Sequence, residues 1–182
     1  MTPFTTLTAP VAVLDRANID TDQIIPARFL RKPRSAGYGQ FLFADLGLTL
    51  PRDAAILVAG ENFGCGSSRE GAVYALIDAG ISCVIAPSFG DIFAGNAAQN
   101  GLLTVALALA GLADGTVLTI DLPAEVVRLP DGTARSFTID AFRKQRLLAG
   151  RDDIDLTLSH AAAIAAFVRQ DRTARPWAGV TG

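Results

Sequence analysis

A chain of 182 residues, half of them hydrophobic and with a mean hydropathy of +0.34, carries enough apolar material for one well-filled core. Its formal net charge of −2 gives no electrostatic basis for binding nucleic acid or an anionic membrane surface. The opening "MTPFTTLTAPVAVLD" lacks the features of a signal peptide, and no apolar run reaches the roughly 18–20 residues of a membrane helix, so a soluble cytoplasmic protein is expected.

In chain order, "VAVLD" (11–15) predicts a first strand, and "RANIDTDQIIPARFL" an irregular polar segment. "RKPRSAGYGQFLF", with Pro33, Gly37 and Gly39, reads as a mobile loop. "AAILVAG" (54–60) is a buried strand by its length and β-branching. The period then changes. Ser67 and Glu70 have the S-x-x-E spacing of a capping box, Ala72, Val73, Leu76 and Ile77 form an apolar stripe, and Gly80 supplies a stop. "ISCVIAP" is the next strand, and strand–helix–strand order implies a parallel pair with a right-handed crossover. Ser88 is the expected N-cap of a helix over "FGDIFAGNAAQ", ended by Asn100-Gly101, after which "LLTVAL" returns as a strand.

The last third differs in character. "TVLTIDL", "EVVRL" and "SFTI" are short alternating strands, with "PDGT" a hairpin turn between the latter two. "DAFRKQRLLAG" and "SHAAAIAAFVRQ" predict helices, and 170–182 a loose tail. With no repeat or clear linker, 1–182 reads as a single domain. An α/β portion followed by an antiparallel ribbon favours a compact, barrel-like α/β fold over an open doubly wound sheet.

Chemistry concentrates at "ILVAGENFGCGSSREGAVYALIDAG" (56–80). A strand ends, Gly60, Gly64 and Gly66 let the backbone pass close to a ligand, and a helix is expected to begin at Ser67 or Ser68. Free N–H groups and the positive end of a helix dipole favour an anion, and Arg69 adds a planar fork of donors suited to a carboxylate or phosphate. A Walker loop would need a lysine ahead of the serine, and a dinucleotide fingerprint a glycine where Arg69 stands. A small carboxylate is the better fit, against the plain alternative of a capped helix whose arginine faces solvent. Cys65 and Cys83 are the only cysteines and His160 the only histidine. They form no zinc pattern and fall short of the roughly four thiolates of an iron–sulfur cluster. His160, at an apparent helix start, reads as a surface or capping residue.

"GENFGCGSSRE" resembles the signature of the small subunit of 3-isopropylmalate dehydratase and of the related swivelling domain of aconitase. "LDRANIDTDQIIPARFL" (14–30), "VIAPSFGDIF" (84–93) with "NGLL" (100–103), and "FTIDAFRKQRLLAGRDDIDLTLSHAAAIAAF" (137–167) resemble the bacterial small subunit in the same order. The resemblance implies a β/β/α swivelling-domain fold of the aconitase C-terminal type. It also implies a heteromeric hydro-lyase with a [4Fe–4S] cluster in its large subunit and no cofactor in this chain. The implied reaction dehydrates and rehydrates a hydroxy-dicarboxylate, with the partner's iron a Lewis acid on the leaving hydroxyl. Ser67 is implied as the general base and Arg69 as the carboxylate clamp, with Ser68, Gly66 and Thr21 in the substrate-binding set. Asp22, in "NIDTDQI", matches a superfamily aspartate near the site, and an Asx-turn is its plain alternative.

The chain also departs from the pattern. "REGAVYAL" puts Gly71 where the family has histidine, and "AGNAAQNG" puts Ala94, Ala97, Ala98 and Gln99 where it has a tyrosine, a cysteine, an aromatic and a lysine. A related dehydratase acting on 2-methylmalate/citraconate or a dimethylmalate, or a non-catalytic carboxylate-binding paralogue, therefore stands beside the isopropylmalate reading. Tyr38, Phe41 and Leu42, in the 31–43 segment, are candidates for an apolar wall against the substrate's side group.

Overall fold

A computed structural model describes residues 1–151 and 153–178. Its sheet is organised by one long strand, β1 (Thr6–Leu14), that changes partner halfway along. Val11–Leu14 pair in parallel with β2 (Ile56–Ala59), whereas Thr6–Pro10 pair antiparallel with β5 (Val117–Asp121). Pro10, which has no N–H to give a ladder, sits at the changeover. Beyond it, the other edge of β1 is satisfied by the 113–116 turn: Val11 N–H donates to Thr116 O at 2.9 Å and Val13 N–H to Asp114 Oδ1 at 2.7 Å.

On the parallel side, β2 is followed by helix α2 (Glu70–Asp78) and β3 (Cys83–Ala86), then by helix α3 (Asp91–Asn100) and β4 (Leu103–Ala106). On the antiparallel side, β6 (Val126–Arg128) and β7 (Ala134–Ser136) extend β5. The result is one seven-stranded sheet in the order β4-β3-β2-β1-β5-β6-β7. Parallel strands are buried on both faces, which is why β2 and β3 read as unbroken apolar runs. Their alternate residues divide two cores. Leu57, Ala59, Val84 and Ala86 pack with Ala72, Val73 and Leu76 of α2 and Phe93 and Ala97 of α3. Ile56, Val58, Cys83 and Ile85 pack with Leu118 and Ile120 of β5, Val127 of β6, Phe137, and Leu147 of helix α4 (Ala141–Ala149). The antiparallel ribbon and α4 thus share a core with the inner face of the parallel strands, the barrel-like arrangement expected.

Several expected boundaries move. β1 begins five residues earlier than "VAVLD" suggests, at Thr6 rather than Val11. The capping box at Ser67 does not form: α2 starts at Glu70 with Arg69 as N-cap, leaving both serines in the preceding loop. Ser88 does not cap α3, whose N-cap is Gly90; its hydroxyl instead accepts from Asn62 N–H at 2.8 Å. The strand expected at "SFTI" includes only Ser136, at the end of β7. The stops hold, with Gly80 at φ +94° and Gly101 at φ +86° in the left-handed region that glycine tolerates. Helix α1 (Thr21–Ile24), inside the segment read as irregular, carries a complete capping box between Asp20 and Gln23.

Residues 1–150 form one compact unit and 151–182 a second. The second contains α5 (Asp153–Ser159), α6 (Ala161–Ala174) and a 3₁₀ turn at Pro176–Ala178, with His160 the N-cap position of α6. Of the expected tail, residues 170–174 are the end of α6, and residues 179–182 lie outside the described residues.

Candidate active site

Two segments meet at the carboxyl end of β2: helix α1, and the 60–69 loop that leads into α2. Asp20 and Cys65 form an isolated parallel bridge, and Thr21 N–H donates to Cys65 O at 3.0 Å. The Thr21 side chain, only 3% exposed, donates its hydroxyl to Ser67 O at 3.0 Å. A buried hydroxyl therefore holds the Ser67 peptide, while Gly66, Ser67 and Ser68 themselves face solvent.

The glycines of the loop divide by task. A Cβ at Gly60 would overlap the Arg16 carbonyl, and one at Gly64 would enter the Phe93 ring. A Cβ at Gly90 would lie 2.6 Å from Gly64 O. Gly60 and Gly64 are thus needed for close approach of the protein's own groups rather than of a ligand, correcting the expectation for those two. Gly66, at φ +90° and exposed, is the one whose bare backbone remains open.

Arg69 extends from the N-cap position of α2 to α1, where its guanidinium pairs with Asp22. The arginine side chain is 20% exposed and the carboxylate 54%. This hydrogen bond holds the Asp22 carboxyl below its ordinary range and raises the Arg69 guanidinium further above its own, so both stay charged. Asp22 Oδ1 also accepts the Ala27 N–H at 3.1 Å, the start of a 3₁₀ turn over Ala27–Arg31. The sequence-expected residues Thr21, Asp22, Gly66, Ser67, Ser68 and Arg69 therefore gather at one place. Arg69 directly follows the exposed Ser67 and Ser68, at the positive end of α2.

The 31–43 segment is a succession of short 3₁₀ turns laid along α2. Tyr38 is buried; its hydroxyl donates to Lys32 O at 2.8 Å and its N–H to Asp78 Oδ2 at 2.9 Å. Phe41 stacks on Phe29 at 4.2 Å between centroids, with Arg28 and Lys32 over the two rings. Phe29 and Leu30, from the turn just upstream, pack against the core. On the other side, Ala94, Ala97 and Ala98 are buried on α3, where their small size lets the helix lie close to its neighbours.

Among the described residues no group of three His, Cys, Asp or Glu side chains could hold a metal. Cys65 and Cys83 are free thiols, and burial pushes the Cys83 thiol up and out of reach of deprotonation. Two separate thiols do not fit a [4Fe–4S] cluster, so this chain's own donors provide no seat for one.

The mixed sheet, with helices on its parallel side, is of the aconitase C-terminal type. The aconitase C-terminal domain model matches residues 50–110, spanning β2 to β4 and the 60–69 loop. The LeuD_N model matches 108–141, and the model for the C-terminal domain of the 3-isopropylmalate dehydratase small subunit matches 153–178. A 3-isopropylmalate dehydratase small subunit from Rhodospirillum centenum is 44% identical over 98% of this chain and 99% of its own length. The crystal structure of a 3-isopropylmalate dehydratase from Methanocaldococcus jannaschii superposes with a TM-score of 0.74 at 28% identity, covering 88% of this chain and 98% of that one. The chain belongs to the 3-isopropylmalate dehydratase small-subunit family.

Proposed function

We propose that this chain is the small subunit of a heteromeric hydro-lyase that interconverts 2- and 3-isopropylmalate by dehydration and rehydration, a step of leucine biosynthesis in the cytoplasm. The observation that carries the reading is the largely buried Arg69, fixed by Asp22 beside the exposed Ser67 and Ser68. Arg69 binds a substrate carboxylate through the part of its five-donor fork that Asp22 leaves open. Ser68 adds a hydrogen bond, and the open backbone of Gly66 admits the ligand. Ser67 takes the proton from the carbon next to that carboxylate. A serine hydroxyl is a weak base, and it works here because the Arg69 charge and the positive end of α2 lower the cost of its alkoxide. Thr21 serves by holding the Ser67 peptide, and Asp22 by holding Arg69. The [4Fe–4S] cluster, for which this chain has no ligand set, comes from the large subunit.

The test is reconstitution. The purified chain, mixed with a cluster-bearing large subunit, should convert 3-isopropylmalate to its unsaturated intermediate and on to 2-isopropylmalate, whereas the isolated chain should not. Ser67→Ala in that complex should lower kcat by about a thousandfold, the scale of removing a positioned base. An unchanged kcat would sink the serine assignment.

A further inference from the structure

The pairing of β1 with β2 continues past the ends of the strands. Beyond Leu14 and Ala59, Gly60 N–H donates to Arg16 O at 3.1 Å and Asn18 N–H to Glu61 O at 2.8 Å. Gly64 N–H then donates to Ile19 O at 2.7 Å and Thr21 N–H to Cys65 O at 3.0 Å. The Thr21 hydroxyl on Ser67 O is the last rung. The two segments are built alike. Each turns through an asparagine in the left-handed region, Asn18 at φ +57° and Asn62 at φ +58°. Each then buries the next side chain, Ile19 and Phe63, in the same core. A side-chain bond joins the turns, from Asn62 Nδ2 to Asn18 Oδ1 at 2.8 Å. A left-handed backbone is costly for any residue but glycine, and glycine would serve both turns if shape were all they needed. Asparagine supplies the shape and an amide together.

We propose that the Asn18–Asn62 amide bridge is a positioning lock for Ser67: it fixes the register of the two segments, two backbone rungs before Thr21 meets the serine. This rests on the isopropylmalate reading above, in which Ser67 is the base. The 60–69 loop is separately fixed to the segment after β3, because Asn62 N–H donates to Ser88 Oγ at 2.8 Å and Phe63 N–H to Ser88 O at 3.0 Å. The bridge therefore decides where the segment carrying Thr21 lies on a loop that is already held. Both asparagines act through the rungs above them, as positioning residues.

The experiment uses Asn62→Gly, Asn18→Gly and the double variant. Glycine takes a positive φ freely, so each substitution keeps the turn and removes the amide. Relief of the left-handed residue and loss of one exposed hydrogen bond offset each other, and the melting midpoint should stay within about 3 °C of wild type. In the isolated chain, hydrogen exchange at the Gly64 and Thr21 amides should quicken by about tenfold. In the complex reconstituted with a cluster-bearing large subunit, kcat for 3-isopropylmalate should fall by about tenfold in either single variant. KM should change little, because Arg69 and Asp22 keep their own contact. The double variant should lose no more than either single one, as for two halves of one bond. Unchanged kcat in both single variants overturns the proposal, as do losses that multiply in the double variant. A raised KM with kcat intact also overturns it, being the mark of an asparagine that binds substrate itself. A wild-type complex inactive on 3-isopropylmalate refutes the isopropylmalate reading instead. Exchange in the isolated chain then still decides the lock, unchanged rates overturning it and faster ones supporting it.

Discussion

Thr21 allows the positioning of Ser67 to be separated from simple stability. Its side chain is 3% exposed, and its hydroxyl donates to Ser67 O at 3.0 Å. Thr21→Val keeps the volume and deletes that hydrogen bond, worth about 1 kcal/mol. Thr21→Ser keeps the hydroxyl and deletes a buried methyl, again worth about 1 kcal/mol. Both variants should therefore lose about 2–4 °C in Tm, read by calorimetry on the isolated chain. They should part company in the reconstituted enzyme. Thr21→Val frees the Ser67 peptide and should lower kcat by about tenfold or more, as misplacing a reacting group does. Thr21→Ser should stay near wild type. KM should stay put in both, since Arg69 is untouched; a hydroxyl that bound substrate directly would show its loss in KM instead. Equal kcat values for the two variants would refute the positioning role.

Arg69→Lys keeps the charge but loses the planar fork shared between Asp22 and substrate, and should raise KM by about tenfold with a smaller effect on kcat in steady-state assays. Gly64→Ala combines a side chain at φ +73° with overlap of the Phe93 ring, and should cost about 3 kcal/mol in urea denaturation. The Asp22 carboxyl is held low by Arg69, so the pair's contribution is fully present above the ordinary carboxyl pKa near about 4 and is lost as pH falls through its lowered folded value. Asp22→Asn should therefore be less stable than wild type by under about 1 kcal/mol at neutral pH, given the exposed carboxylate, with the gap closing in acid. Thiol labelling of the native chain should modify the half-buried Cys65 and spare Cys83 until denaturant is added.

What the sequence made legible follows from how local each cause is. The runs "AAILVAG" and "ISCVIAP" are apolar at every position because both faces of β2 and β3 are buried, so the strands could be read without knowing their partners. Gly80 and Gly101 end their helices through a backbone conformation written in one residue. The first half of β1 is hidden for the opposite reason: "TLTAP" carries two threonines and a proline, and only its pairing with β5, more than a hundred residues away, makes it a strand. The start of α2 lies three residues beyond the S-x-x-E expectation, and that spacing carries no trace of the hydrogen bond by which Thr21 holds the Ser67 backbone. The same distinction governs the site. Ser67, Ser68 and Arg69 lie together in the chain and could be proposed as a unit; Thr21 and Asp22, from a separate segment, were expected only through the family resemblance, and the structure shows the contacts that join them to Ser67 and Arg69. Gly71 is the limiting case. In sequence it is only a missing histidine, a negative observation with no chemistry of its own. In the fold its emptiness has a definite shape, that of Leu30 from forty-one positions upstream, and such a contact is written in neither residue alone.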